Sequence, residues 1–351
     1  MGIAVALSGG VDSSVCAYLL KKRGEDVFGI TLRLTDDYSE EVGSAIYNAR
    51  KLCNKLDIKH IVIDVRKDFQ EIVIDSYKKG LLAGKTMVPC AICNQFIKLG
   101  KLVDFCRSNG AKLATGHYAK IVKTVDGAKI YRAKDALKDQ THFLAYLNKN
   151  NLNDIEFPLG DKYKSEVFKI AEENKLVDII GYTESQDVCF FNGDTYKNYL
   201  KSLNINDVSG DIVHCITMKK LGTHKGLLKF TVGQRKGIDL PWSEPLYVVS
   251  RDFQNNILYV GEEMCLYFDK LTIKDVNIID NHTEEDIKNN KKINCQVCLR
   301  DKTPIIDATV DFSENSQAPT VYLKQRARAI TSGQVCVFYN NGQLLGGGEI
   351  V

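Results

Sequence analysis

Ala4-Val5-Ala6-Leu7-Ser8-Gly9-Gly10-Val11-Asp12-Ser13-Ser14 is the stretch on which the fold of this chain turns. A short apolar run, Ile3 to Leu7, ends in Ser-Gly-Gly, and a helically spaced run from Ser13 to Arg23 follows and stops at Gly24. Two glycines permit backbone conformations that expose several N–H groups, and the following helix adds its positive end. Together they make a cradle for an anion, with Ser8, Ser13 and Ser14 as hydroxyl donors. Asp12 is the candidate ligand for a Mg²⁺ ion beside bound phosphates. The Gly-Lys-Ser/Thr ending of the common NTPase loop is absent, and no lysine within the loop serves the β- and γ-phosphates.

Outward from the loop, strand-like and helix-like segments alternate. Residues 26–32 and 59–65 read as strands, as does the short run 112–114; residues 39–56, 68–83 and 95–109 read as helices. Such alternation predicts a doubly wound parallel sheet. Near residue 195 the pattern changes to short alternating runs, at 227–232, 246–250, 257–260, 292–300, 308–312, 320–323, 334–339 and 344–351. Asn255-Asn256 and Asn340-Asn341-Gly342 are turn signals between them. The expected architecture is therefore α/β plus all-β. An N-terminal α/β domain covers 1–195, a small central β module 196–263, and a C-terminal β-barrel 264–351, with the polar segment 280–290 joining β elements.

Composition narrows the class. The 351 residues are 44% hydrophobic and 26% charged, with no low-complexity tract, which excludes wholesale disorder. No apolar run approaches the roughly 18 residues that span a bilayer. The motif begins within the first residues, so no export signal and a cytoplasmic location are expected. Eleven cysteines are too sparse for a disulfide scaffold and read as reduced thiols, some reactive or metal-binding. A net charge of +3, from 47 basic and 44 acidic residues, requires any nucleic-acid surface to be local. One such run is Lys219, Lys220, Lys225, Lys229, Arg235 and Lys236, with no acid between 219 and 236.

Ser8-Gly9-Gly10-Val11-Asp12-Ser13 resembles the pyrophosphate loop of the N-type ATP pyrophosphatases. Further stretches sharpen the likeness: Pro89-Cys90-Ala91-Ile92-Cys93-Asn94, Gly116-His117-Tyr118, Lys138-Asp139-Gln140 and Glu184-Ser185-Gln186-Asp187-Val188-Cys189-Phe190. Phe230-Thr231-Val232-Gly233-Gln234-Arg235-Lys236-Gly237 and the closing Leu345-Gly346-Gly347-Gly348 complete the set. From Ile3 onward the chain resembles the bacterial tRNA-specific 2-thiouridylase (MnmA) family. The resemblance implies that Ala6, Leu7, Ser8, Gly9, Gly10, Val11, Asp12 and Ser13 cradle ATP, with Leu32 and Gly116 lining the adenosine site. It implies Cys93 as nucleophile and Cys189 as persulfide carrier. It places His117, Lys138, Asp139, Gln140 and Gln334 against tRNA; Arg235, Lys236 and Arg300 are further candidates. The implied reaction is ATP-dependent replacement of oxygen by sulfur at C2 of uridine 34. The tRNAs for Lys, Glu and Gln are its expected substrates, and an upstream persulfide carrier or sulfide donor supplies the sulfur.

The cysteine loop departs from one form of the family, which has Asp at the position of Cys90 and Asn two residues earlier. Here Cys90 and Cys93 form a Cys-x-x-Cys pair, which with Cys189 makes three thiols suited to an iron–sulfur (4Fe-4S) cluster with one open iron. Persulfide or disulfide chemistry without a cluster is the main alternative, and Zn²⁺ binding or a structural role is the third. For either route Cys93, placed near a helix start, is expected to have its thiol pKa lowered by the helix dipole. Cys295 and Cys298, read on a strand, point to opposite faces and argue against a metal site. Two other functions stay open at this point: an adenylating synthetase that amidates a carbonyl, and a non-catalytic RNA-binding protein with a vestigial nucleotide loop.

Overall fold

The computed structural model describes residues 1–36, 44–180, 188–191, 198–200 and 208–351. Five parallel strands form the first sheet in the order β3-β2-β1-β4-β7: β1 (Gly2–Ala6), β2 (Val27–Arg33), β3 (His60–Asp64), β4 (Ala111–Ala114) and β7 (Ile155–Glu156). Strand alternation assigns the faces. Ile3 and Val5 pack with Val15 and Leu20 of helix α1 (Val11–Lys22) and Leu52 of α2 (Ala45–Leu56). Ala4 and Ile30 face the other way, toward Leu102, Val103 and Cys106 of α6 (Leu102–Ser108). A sheet covered on both faces is the doubly wound arrangement expected from sequence.

Two helical stretches differ from the expectation. The segment expected at 68–83 runs as α3 (Arg66–Phe69), a π-helical stretch Gln70–Ile74 and α4 (Asp75–Leu82). The helix expected to begin at 95 begins instead at α5 (Pro89–Cys93), and continues through π-helical Asn94–Lys101 into α6. Pro89 explains the start: its fixed φ and missing N–H suit the first helical position. Cys90 and Cys93 therefore lie within the helix rather than before it. Of the helix expected over 39–56, residues 39–43 lie outside the described residues, and the rest runs from Ala45 after a Ser44 cap.

The described part of the second half is built mainly of β-strands, as expected. A four-stranded sheet has the order β10-β11-β8-β9: β8 (Gly210–His214), β9 (Lys220–His224), β10 (Tyr247–Asp252) and β11 (Ile257–Gly261). The strand read at 227–232 is not one. Leu227 and Phe230 are both buried, an i, i+3 spacing that suits the 3₁₀ turn at Leu227–Lys229 rather than a pleated strand.

Six antiparallel strands then close into a barrel: β12 (Tyr267–Ile278), β13 (Lys292–Cys298), β14 (Ile306–Asp311), β15 (Thr320–Arg328), β16 (Val335–Asn340) and β17 (Gln343–Ile350), with β12 pairing β17. The polar segment near 280–290 is helix α8 (Asn281–Asn290), capped by Asp280. A hairpin from the first half, β5 (Ala119–Thr124) and β6 (Gly127–Arg132), extends the barrel sheet through Tyr131↔Gln343 and Ile130↔Leu344. One apolar cluster accordingly joins Leu144 and Ala145 to Val335, Val337 and Tyr339.

Candidate active site

β1 continues on one side into β2 and β3, while β4 lies on its other side, so the strand order reverses beside β1. Ligands of doubly wound sheets bind at such a switch point, off the carboxyl ends of the strands. The loop Leu7–Gly10 leaves β1 there, and Thr115-Gly116-His117 leaves β4. Ser13 is the loop's internal brace. Its hydroxyl accepts from the Ser8 amide at 3.2 Å, sits 3.2 Å from the Ser8 hydroxyl and donates to the Gly10 carbonyl at 3.1 Å. Gly9 has φ +76°, and a Cβ there would lie 2.7 Å from Ala45 Cα, so both conformation and space demand glycine. Gly10 caps α1 without any side-chain partner, leaving the first-turn amides turned to the loop. A Cβ on Gly116 would lie 2.9 Å from Ser13 N, so this glycine lets β4 close on that same turn.

Asp12 is fully engaged. Lys164 Nζ donates to both carboxylate oxygens at 2.7 and 2.9 Å, and the Tyr118 hydroxyl donates to Oδ1 at 2.8 Å. Lys164, first residue of helix α7 (Lys164–Glu173), has a side chain 11% exposed against 36% for Asp12. The phosphate loop thus does have a lysine; it arrives from 152 residues downstream, where no local motif in the sequence reveals it. Leu32 is half-buried near the end of β2. Off the ends of β2 and β3 opens a cleft of about 550 Å³ lined by Leu34, Asp36, Asp64 and Arg66, a volume ample for a small ligand.

Cys93 and Cys189 come together through aromatic packing. Cys93 is 4% exposed and shares one apolar cluster with Phe69, Val73, Tyr77, Phe190 and Phe191. Phe190 sits edge-on to Tyr77 of α4 at 5.4 Å and to Phe69 of α3 at 6.1 Å, which anchors the turn Cys189–Phe191 in the same cluster that takes in Cys93. Cys90 and Cys189 are exposed. Burial pushes the Cys93 thiol up to about 11; the Lys98 ammonium pulls it down, and charge on Cys189 or Cys90 adds to the rise. The expected lowering by the helix dipole is therefore overturned. Cys93 is the fifth and last residue of α5, past the first turn and its N-terminal amides, and desolvation dominates. Among the described residues, no three Cys, His, Asp or Glu side chains converge tightly enough to hold a metal ion.

The residues between these centres brace the site. His117 Nδ1 lies 2.6 Å from Thr115 Oγ1, and burial, with the Lys98 charge adding, lowers its pKa to about 3, so the ring is neutral. Asp139 accepts from Arg132 Nε at 2.9 Å, Ala133 N at 2.9 Å and Thr141 Oγ1 at 2.8 Å. Gln140 exchanges two hydrogen bonds with the Tyr118 backbone, both at 2.9 Å. Lys138 is half-buried beside them. Asn94, which the sequence reading passed over, is 3% exposed and donates to the Phe143 carbonyl at 3.1 Å, pinning the cysteine helix to this segment. Gln334 is 8% exposed and donates to the Thr86 carbonyl at 2.8 Å, so its amide serves the loop before Cys90.

Arg235, Lys236 and Arg300 are exposed, and so are Lys219, Lys220, Lys225 and Lys229. Lys220 spends its charge on Asp211 at 2.6 Å. Cys295 packs in the barrel interior, whereas Cys298 belongs to the cluster on the other face of β13, as the strand reading required.

Comparisons with known proteins agree along the chain. Residues 1–193 match the tRNA methyl transferase HUP domain family, 197–262 the tRNA methyl transferase PRC-barrel domain family and 268–350 the aminomethyltransferase beta-barrel domain family. The tRNA-specific 2-thiouridylase MnmA of Rickettsia typhi is 39% identical over 99% of this chain and 98% of its own. That of Rickettsia massiliae is 38% identical over 99% and 96%. Among solved structures, the U34-tRNA thiolase NcsA from Methanococcus maripaludis with its 4Fe-4S cluster overlaps 57% of this chain and 67% of that one. Its identity is 21% and its TM-score 0.35. Identity at that level with the Rickettsia proteins, end to end, leaves one conclusion: the chain belongs to the tRNA-specific 2-thiouridylase (MnmA) family.

Proposed function

We propose that the chain is an ATP-dependent tRNA uridine 2-sulfurtransferase acting on the wobble uridine at position 34. The observation that carries this reading is the shared aromatic cluster, which brings Cys93 and the Cys189 turn, 96 positions apart, together beside a phosphate loop. An amidating synthetase has no use for that convergence, and neither does a vestigial nucleotide binder.

In this reading the uracil 2-oxo group attacks the α-phosphate of ATP, forming a C2–O–AMP bond and releasing pyrophosphate. The first-turn amides of α1 and the Ser8 hydroxyl hold the phosphates, with Ser13 bracing the loop around them, while Leu32 and Gly116 flank the adenosine. Magnesium, when bound, would neutralise phosphate charge from the Asp12 side, where Lys164 already holds the carboxylate. The base must leave the anticodon stack to reach the thiols. A persulfide on Cys189 attacks C2, and AMP leaves with the former base oxygen. The Cys93 thiolate then attacks Sγ of Cys189, breaking its bond to the transferred sulfur. The products are the 2-thio base and a Cys93–Cys189 disulfide, which an external thiol reductant reopens. Neutral His117 is a hydrogen-bonding group rather than a cation in this pocket. Lys98 is the charge that opposes burial of the Cys93 thiolate.

Cys90 favours a second sulfur route. A 4Fe-4S cluster would be held by Cys90, Cys93 and Cys189, whose mutual electrostatic influence speaks for proximity. Against it, no three-ligand metal group forms among the described residues, so no step is drawn through a cluster. The remaining assignments follow the family. The partners are the Lys, Glu and Gln tRNAs and an upstream persulfide carrier or sulfide donor. Lys138, Arg235, Lys236 and Arg300 meet the RNA. The domain limits are 1–195, 196–263 and 264–351. The location is the cytoplasm, where eleven unbridged cysteines stay reduced. No helix among the described residues is long and apolar enough to cross a membrane.

The test is incubation of anaerobically purified protein with tRNA, ATP, Mg²⁺ and a low-molecular-weight persulfide donor, with sulfide alone in a parallel reaction, followed by nucleoside mass analysis and iron determination. The expected product is 2-thiouridine at position 34, with AMP and pyrophosphate in equal amounts. Absence of tRNA-dependent pyrophosphate release refutes the reading. Iron-free protein that still thiolates removes the cluster route.

A further inference from the structure

The segment 83–88, which leads into the cysteine helix, is gripped from outside by both later modules. From the barrel, the Ser332 carbonyl accepts from Thr86 N at 2.8 Å, Gln334 donates to the Thr86 carbonyl at 2.8 Å, and Glu349 pairs with Lys85. From the central module comes one guanidinium, that of Arg251 on β10. Its Nη2 donates to the Gly84 carbonyl at 2.8 Å and to Thr86 Oγ1 at 3.3 Å, and its Nη1 donates to the Phe230 carbonyl at 3.0 Å. The same group lies 5.5 Å over the Phe253 ring. Phe253 in turn closes on Gly84: a Cβ at that glycine, whose φ is +78°, would lie 2.4 Å from the ring.

Phe230 opens the run Phe-Thr-Val-Gly-Gln-Arg-Lys-Gly, whose Arg235 and Lys236 are exposed. Thr86 lies three residues before Pro89, the first residue of the cysteine helix. One planar fork therefore spans the root of the basic loop and the root of the helix that bears Cys90 and Cys93. A rigid, multiply donating guanidinium transmits position in a way a single ammonium cannot.

We propose that Arg251 is a positioning residue for sulfur transfer: it couples the seat of the basic loop at 231–237 to the placement of Cys90 and Cys93. The functional part rests on the reading of Cys93 as the transfer thiol; the mechanical part does not. Load on the basic loop passes through the Phe230 carbonyl and Arg251 to Gly84 and Thr86, and so to the start of α5.

The experiment uses full-length protein with Arg251→Gln, Arg251→Lys and the nearly isosteric Thr86→Val. Iodoacetamide alkylation is followed peptide by peptide without RNA, with Cys189 as internal reference. Single-turnover thiolation at saturating tRNA and ATP, and tRNA affinity, are measured beside it. Arg251→Gln is expected to speed alkylation of Cys93 about tenfold relative to Cys189, the scale of losing one charged hydrogen bond. The thiolation rate constant falls, tRNA affinity moves less than about twofold, and Arg251→Lys does not restore the rate. Thr86→Val shifts the same readouts in the same direction by less. Folded Arg251→Gln protein with wild-type alkylation and rate overturns the proposal, as does a loss confined to tRNA affinity. If Arg251→Gln does not fold, Thr86→Val with unchanged alkylation overturns it. A wild-type protein that shows the alkylation contrast with its variants yet never thiolates tRNA leaves the coupling standing and refutes the functional reading.

Discussion

Replacing Lys164 by Met isolates the charge that the fold delivers to the phosphate loop. The ammonium meets both Asp12 oxygens at 2.7 and 2.9 Å. At such distances the bare attraction is about 6 kcal/mol with an effective dielectric constant of about 20, most of it offset by desolvation. The Lys164 side chain is 11% exposed and that of Asp12 36%, so the pair falls between a surface bridge and a buried one. A net loss of about 2 kcal/mol on breaking it lies between those cases, or about 3 °C in Tm for a chain of this size. The same change leaves an unpaired carboxylate facing a triphosphate. Loss of the cation and exposure of the anion both act against ATP, and about 2 kcal/mol corresponds to roughly thirtyfold weaker binding. Equilibrium dialysis of ATP and thermal melts read the two effects separately. Adding Asp12→Asn to Lys164→Met removes the stranded charge, so the double variant regains most of the Tm, whereas ATP affinity stays weak. Lys164→Met protein that binds ATP like the wild type would refute the reasoning and reduce Lys164 to a structural clamp.

Two further outcomes are open to direct measurement. Alkylation of Cys93 should rise with pH toward a midpoint near 11, because its neutral form is favoured by burial, and Lys98→Met should move that midpoint higher. The same raised pKa contributes stability below the ordinary cysteine range that is lost as pH climbs through about 11; a profile with a midpoint below that range contradicts the burial argument. Arg235→Gln with Lys236→Gln should lower the salt dependence of tRNA binding, the slope of log K against log salt falling by about 1.5, while ATP affinity is untouched. An unchanged slope removes the basic loop from the RNA interface.

What was legible in the sequence was local. The apolar run, the two glycines and the helical spacing of residues 3–23 announce the phosphate loop, because the hydrogen bonds that shape its backbone, from Ser13 to Ser8 and Gly10, lie within a few residues. The hairpin β5–β6 was illegible for the opposite reason. Its hydrogen-bonded neighbour is β17, and nothing near Tyr131 announces Gln343. Lys164 was missed on the same ground. For Cys93 the residue type was read correctly and its environment was not: a dipole argument needs only the sequence, whereas desolvation depends on Tyr77, Phe190 and the other side chains that close over the sulfur. Asp139 and Gln140, expected against RNA, prove to have side chains occupied in bracing the loop beside Tyr118.

The joining of β6 to β17 carries a consequence for how this chain can be divided. Residues 119–132 extend a sheet whose other strands come from the last quarter of the sequence, and Leu144 and Val337 share one interior. A fragment ending before the barrel would bare an apolar flank and a strand margin ready to template aggregation. The nucleotide-handling half is therefore not a transplantable cassette: translation must reach the final strand before the first half acquires its full complement of neighbours.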